Sequence, residues 1–288
     1  MRRLIINADD FGLTPGVNQS IIECHGAGTV TSATLMASSS AYDDAVAKAK
    51  LHPSLRVGCH VTLVDSTPLL PTLQVSTLLA PRQQDFRQGI AGFAATALCN
   101  KLSPDQITAE ATAQFRKIQN SGIELTHFDT HKHTHMFPKV IKALLQAAKD
   151  CGIRAVRNPF VPLKALIFAN FVRRPRLWVR YSQVRALRRF EESFHREVIS
   201  AGLQTTQGTF GIIATGFLDH RLFNAIIGSI PPGDWELVCH PGYNDADLGK
   251  VSTRLRASRA EELKVLTSPE AADTLKKHDI RLISYSDI

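Results

Sequence analysis

The sequence predicts an α/β fold: a single distorted (β/α) barrel of seven or eight strands, formed by residues 1–288 as one domain. Three observations lead there. Short apolar runs alternate with helical patterns, as parallel strands joined by crossover helices require. No internal linker or repeat divides the 288 residues, of which 44% are hydrophobic and 21% charged, enough for a full core. Asp, His and Arg recur at the carboxyl ends of separate strand candidates, and in a barrel those ends share one mouth. A doubly wound open sheet is the second architecture.

The elements follow in order. "RLIINAD" is the first strand, and "PGVNQSIIECHGAG" a helix opened by Thr14, with Pro15 in its first turn and glycines at its close. "SATLMAS" is a strand, "AYDDAVAKAKLHP" a helix, and "LRVGCHVTL" a third strand with His60 at its end. Residues 64–102, interrupted by Pro68, Pro71 and Pro81 and lacking periodicity, read as a long loop or lid. "SPDQITAEATAQFRKIQNSG" opens with a capping box, Ser103 and Gln106 flanking Pro104. "ELTHFDTH" is a strand, "PKVIKALLQAAKDCG" a helix, and "IRAVRNP" a strand stopped by Pro159. "GTFGII" and "WELVCHPGY" are later strands around the helix "DHRLFNAIIGSI". Two helices, "SRAEELKVLTS" and "SPEAADTLKKHD", precede the closing "IRLISYSDI".

Charge is uneven. The net +8 resides almost wholly in a basic insertion at about 161–196, which carries nine Lys and Arg against Glu191 and Glu192. Arginines mixed with Phe168, Phe171, Trp178 and Tyr181 suit an amphipathic contact with an anionic surface, so 164–190 is a candidate peripheral membrane contact. A helical insertion packed on the barrel, or a dimer interface, is the plainer reading. No nucleic-acid-binding motif matches, and nucleic acid is not the expected partner. Five cysteines without a C-x-x-C pair fit a reducing compartment. "MRRLIINADDFG" reads as neither signal peptide nor anchor. The expected location is cytoplasmic, or peripheral to the inner face of the membrane.

The densest motif is "THFDTHKHTH". His127, Asp129, His131, His133 and His135 alternate with other residues, so a continuous strand would present all five on one face. Its ends would stand about 27 Å apart, whereas ligands lie about 2 Å from one ion. At most one or two of them serve a given metal. Two histidines and a carboxylate with open coordination positions make a hydrolytic divalent-metal site, and Asp10, His60 and His131, each at a strand end, fit it. Asp9 is then free to act as a base, provided the chain turns at "DDFG", which Gly12 permits.

"INADDFGLTPGVNQSI", "VGCHVTL", "THFDTHKHTHMFP" and "ELVCHPGY" resemble, in order and spacing, the motifs of the YdjC family of carbohydrate deacetylases, which includes chito-oligosaccharide deacetylase and the hopanoid-biosynthesis-associated deacetylase. The resemblance implies a barrel-like fold and removal of an acetyl group from an N-acetylated sugar, either a chito-oligosaccharide or an N-acetylglucosaminyl glycolipid such as a hopanoid. It implies one divalent metal ion, Mg²⁺ or Zn²⁺, on Asp10, His60 and His131, with Asp9 as base and a homodimer as the assembly. A more distant similarity to polysaccharide deacetylases places a general acid at His240 and an arginine that orients Asp9 at Arg157. His127 and Asp129 are expected to support the site, and His133, His135 and Tyr243 to meet substrate. "VTLVDSTPLLP" resembles the hopanoid-associated branch, whereas "CHPGYND" looks more like the general one. Two other function classes compete. A metal-dependent amidohydrolase or phosphoesterase of the His-rich barrel type would place an H-x-H pair on strand one, which here ends in Asp-Asp. A non-enzymatic basic membrane- or RNA-binding protein would leave so many competent strand-end side chains without purpose.

Overall fold

The structure, a computed structural model, describes residues 1–162, 181, 185 and 187–288. Most of the basic insertion, including the bulk of the 164–190 membrane candidate, lies outside them.

In chain order the elements are β1 (Arg2–Phe11), α1 (Pro15–Gly26), β2 (Ser32–Leu35), α2 (Tyr42–Leu51), β3 (Arg56–Val61), α3 (Gly89–Leu98), α4 (Pro104–Asn120), β4 (His127–Thr130), α5 (Pro138–Asp150), β5 (Ala155–Val156), α6 (Glu191–Ala201), β6 (Thr209–Phe210), α7 (His220–Ser229), β7 (Gly233–Cys239), α8 (Ala246–Lys250), α9 (Ala257–Leu266), α10 (Pro269–Lys277) and β8 (Ile280–Leu282). All strand pairs are parallel, in the order β5-β4-β3-β2-β1-β7-β6, with β8 on β1. The sheet curls as a half-barrel. Between β5 and β6 no ladder forms. That gap is crossed by Gln204–Thr209, where Val156 N donates to Gln204 O and Thr209 N to Phe160 O.

β1 is an interior strand between β2 and β7, and its Leu4, Ile5, Ile6 and Ala8 are fully buried, as a strand covered on both faces requires. Helix starts follow the sequence closely. Thr14 accepts from Val17 N to cap α1, and Ser103 accepts from Gln106 N to cap α4. The reciprocal half of the α4 capping box is not made, because Gln106 Oε1 accepts instead from Thr77 N and Thr77 Oγ1.

Two expectations are corrected. Residues 64–102 are not all loop: they hold a 3₁₀ turn at Thr72–Gln74 and the helix α3. "GIAGFAATAL" has no charged residue, so it offers no apolar–polar alternation to read. The histidine run is not one strand either. β4 stops at Thr130, and Lys132 and His133, both at φ +54°, turn the chain into a 3₁₀ segment, His131–Met136. The period of two therefore ends before the last two histidines.

Candidate active site

At its carboxyl end β1 bends sharply. Asp10 adopts φ +65° and Gly12 φ +95°, and the β1–β2 register slips between Ala8 and Phe11. A β-carbon on Gly12 would lie 2.7 Å from Ser39 Oγ, so glycine is required there. The bend sends the adjacent carboxylates to different cations, Asp9 to Arg157 and Asp10 to Arg259.

Asp9 Oδ1 accepts from Arg157 Nη2 at 2.6 Å, Asn7 Nδ2 at 2.9 Å and Thr34 Oγ1 at 3.3 Å. Oδ2 accepts only from Arg157, at 2.8 Å, and lies 3.8 Å from His240 Nε2. Burial works to raise the Asp9 carboxyl, but Arg157, His60 and His240 together outweigh it and hold the group well below the usual range. Asp9 is thus a carboxylate with one oxygen saturated and the other available. Arg157 is fully buried among three acids, bonding Asp9, Asp129 and Glu236.

Asp10 Oδ2 accepts from Arg259 at 2.5 Å, whereas Oδ1 is buried and makes no hydrogen bond. It faces two imidazoles. Asp10 Oδ1 is 3.4 Å from His60 Nε2 and 3.5 Å from His131 Nδ1, and those nitrogens are 3.2 Å apart. Ligands about 2.1 Å from one ion at a near-tetrahedral angle stand about 3.4 Å apart. The triangle therefore fits one divalent cation, and the orphaned carboxylate oxygen is what such an ion satisfies. A second group, Asp9, His60 and Asp129, also brings three ligand-type atoms within 4.8 Å of one another. It is a poor cation site, because Arg157 already binds both of its carboxylates.

His60 Nδ1 bonds Asp129 Oδ1 at 2.7 Å, which fixes Nε2 toward the triangle, the carboxylate–histidine–metal arrangement. Burial opposes a charged imidazole, yet Asp129, with Asp9 and Asp10, pushes His60 up to about 9. A proton and a cation thus compete for Nε2. Asp129→Asn is expected to weaken cation affinity about 10–100-fold, measured by titrating the ion-stripped protein with Zn²⁺.

His240 directly follows β7, its backbone N–H donating to Glu262 Oε2 at 2.6 Å and its ring Nδ1 buried without a partner. Burial, against the pull of Asp9 and Asp10, pushes it down to about 4, so the ring is neutral. Asp9, Asp10, His60, His131, His133 and His240 line one cleft of about 360 Å³, with Arg259, Asp65, Lys132 and Arg254.

The other expected residues separate. His127 stacks on Tyr285 and bonds Asn7, and Gly58 makes room for it, since a β-carbon there would lie 2.5 Å from His127 Cε1. His135 is fully buried, its ring nitrogens bonding Thr130 Oγ1 and the Arg157 carbonyl. It holds the turn together and does not line the cleft. Tyr243, 40% exposed, donates to Glu23 on α1 and also lies outside the cleft lining. His133 alone of the three expected substrate contacts lines the cleft, and burial, with Arg157, pushes it down to about 3.

The family model described as "YdjC-like protein" matches residues 3–277. The chain belongs to this YdjC-like family. Among relatives, a protein of Listeria innocua named carbohydrate deacetylase 1 is 30% identical over 288 residues, covering 99% of this chain and 100% of its own. One from Thermoanaerobacter pseudethanolicus, named carbohydrate deacetylase, is 28% identical over 286 residues, 99% of each chain. A solved Enterococcus faecalis structure, provisionally named for cellobiose-phosphate cleavage, superposes with TM-score 0.76 at 24% identity, over 99% of this chain and 98% of that one. This similarity gives the fold.

In this YdjC-like chain, sequence reasoning missed three side chains. Arg259 lies on α9, where the pattern "SRAEELKVL" gives no sign that an arginine faces inward. Glu236, on β7, accepts from Arg157, Thr209 and Tyr285. Asp65 Oδ2 stands 3.7 Å from His131 Nε2 and pairs with Lys132. Only Asp65 had a signal, being five residues past His60. Glu262 adds a pH effect. Burial pushes it up to about 7, against the His240 N–H and Arg259. Its unfolded value is about 4.3, so its protonated form favours folding below that, and this contribution is lost as pH rises through about 7. Glu262→Gln is expected to remove that loss, seen as urea midpoints that fall less between about pH 5 and pH 8 than in wild type.

Proposed function

We propose that this cleft removes the acetyl group from an N-acetylated sugar, with Asp9 as base, His240 as proton donor and a divalent cation on Asp10, His60 and His131. The single observation that carries it is the split Asp-Asp pair: one carboxylate completes a three-donor triangle, and its neighbour turns an oxygen that accepts only from Arg157 toward His240, the imidazole that follows β7. The relatives' names supply the substrate class. A cation bound there polarises an acetamide carbonyl and makes a water more acidic.

The chain's own groups do the rest. Asp9 Oδ2 takes the water's proton, while Arg157 fixes the carboxylate through two bonds. His240 is neutral, so it must gain a proton before giving one to the departing amine, and Asp9 Oδ2 is 3.8 Å from its Nε2. The proton taken from water is thereby the one returned to nitrogen. His133, at the cleft wall, is a candidate contact for the substrate. Zn²⁺ suits two imidazoles, and Mg²⁺ suits a site with few protein ligands. The proposed assembly is a homodimer, tested by sedimentation equilibrium.

The experiment is acetate release from N-acetylated oligosaccharides and from a glycosaminyl lipid by wild type, Asp9→Asn and His131→Ala. Loss in both variants supports the roles, and turnover surviving in both overturns them.

A further inference from the structure

We infer that α3 and the groove at its carboxyl end form a docking face for an anionic lipid surface. This goes beyond the reaction proposed above and does not depend on it. From Gln88 to Asn100 no residue carries a charge. Within α3 only Phe93 is buried, whereas Ile90 is 37% and Leu98 53% exposed. A helix on a water-facing surface ordinarily turns charged residues outward, and this one does not.

Below its end lies an open groove of about 250 Å³, lined by Leu98, Leu102, Phe137, Val140 and Phe190 among others. Among the described residues Lys139 is the one charged side chain in that lining, and no carboxylate shares it. The rim is basic. Lys101 follows α3 and is exposed, and the Arg189 guanidinium stacks 4.7 Å over the Phe190 ring. Apolar and aromatic side chains edged by cations are the composition of an interfacial surface.

The charges select the occupant. A second copy docked through the same face would set one surface carrying Lys101, Lys139 and Arg189 against another carrying the same cations. An anionic lipid surface attracts each of them. Among the described residues no helix is long and apolar enough to cross a membrane, so the contact is one of docking. The face also adjoins the cleft. Gly89 N, at the start of α3, donates to Asp65 Oδ1 at 2.7 Å, and Asp65 lines the cleft beside His131. Docking through α3 therefore sets the cleft close to the headgroups.

The test is vesicle sedimentation of the full chain with phosphatidylglycerol-containing and with pure phosphatidylcholine vesicles, at low and high salt. Wild type is compared with Ile90→Glu/Leu98→Glu and with Lys101→Glu/Lys139→Glu, all at exposed positions. Wild type is expected to bind the anionic vesicles, less so in salt. Each double variant is expected to bind about 10-fold more weakly or worse, with unchanged circular dichroism and Tm. The inference is overturned if wild type does not bind, or if both variants bind like wild type, which would place the contact elsewhere. It is equally overturned if the wild type is a dimer that Ile90→Glu/Leu98→Glu dissociates without any vesicle binding. Sedimentation does not read deacetylation, so the two readings fail separately.

Discussion

Arg157→Met is expected to destabilise the protein by about 3–5 kcal/mol, the cost of removing one partner from a buried ionic network. Three carboxylates, Asp9, Asp129 and Glu236, converge on this fully buried guanidinium. Methionine preserves much of the volume but leaves those acids facing one another with little compensating charge. The pH dependence should also reverse. In wild type the depressed Asp9 contributes stability that is present above its unfolded pKa and lost as pH falls through the folded value. In the variant, buried unpaired carboxyls have folded pKa values above the unfolded ones, so stability is greatest in acid and falls as pH rises. Urea midpoints across a pH series read both effects. A variant as stable as wild type, with an unchanged slope, would show that Arg157 does not hold the three acids as described.

Asp9→Asn is expected to reduce acetate release about 10³-fold, within the range for losing a general base. Cation affinity should hardly change. Asparagine matches the shape of aspartate and can still accept a bond from Arg157, so the loss isolates proton transfer at Oδ2. The contrast with His131→Ala is informative: that change removes a corner of the triangle and should weaken cation binding and turnover together. The two variants, measured for Zn²⁺ affinity and for kcat/KM, separate base from ligand.

The features legible in the sequence were those in which a local pattern and a strand end coincide. Asp9, Asp10, His60, Arg157 and His240 each end or follow an apolar run, and a parallel sheet gathers such ends at one mouth. The turn at Asp-Asp was legible because adjacent acids on a regular strand cannot share a face, and Gly12 supplies the release. What was not legible depends on the third dimension or on backbone conformation. Periodicity could not reveal that Lys132 and His133 leave the β region, so that His135, expected to meet substrate, is buried and bonds the Arg157 carbonyl instead. Arg259 reaches Asp10 across 249 residues of chain, and no spacing announces such a partner. α3 escaped notice for the opposite reason, since a uniformly apolar helix has no period to read.

The measurement that tests the account most directly is acetate release by the ion-stripped protein as Zn²⁺ or Mg²⁺ is added back, followed alongside direct ion binding. Turnover should be absent without the ion, rise in proportion to occupancy and saturate at a single ion per chain, and neither His60→Ala nor His131→Ala should recover it at the same ion concentration. Full turnover by the ion-stripped protein, or saturation unaffected by both substitutions, would contradict the assignment of Asp10, His60 and His131.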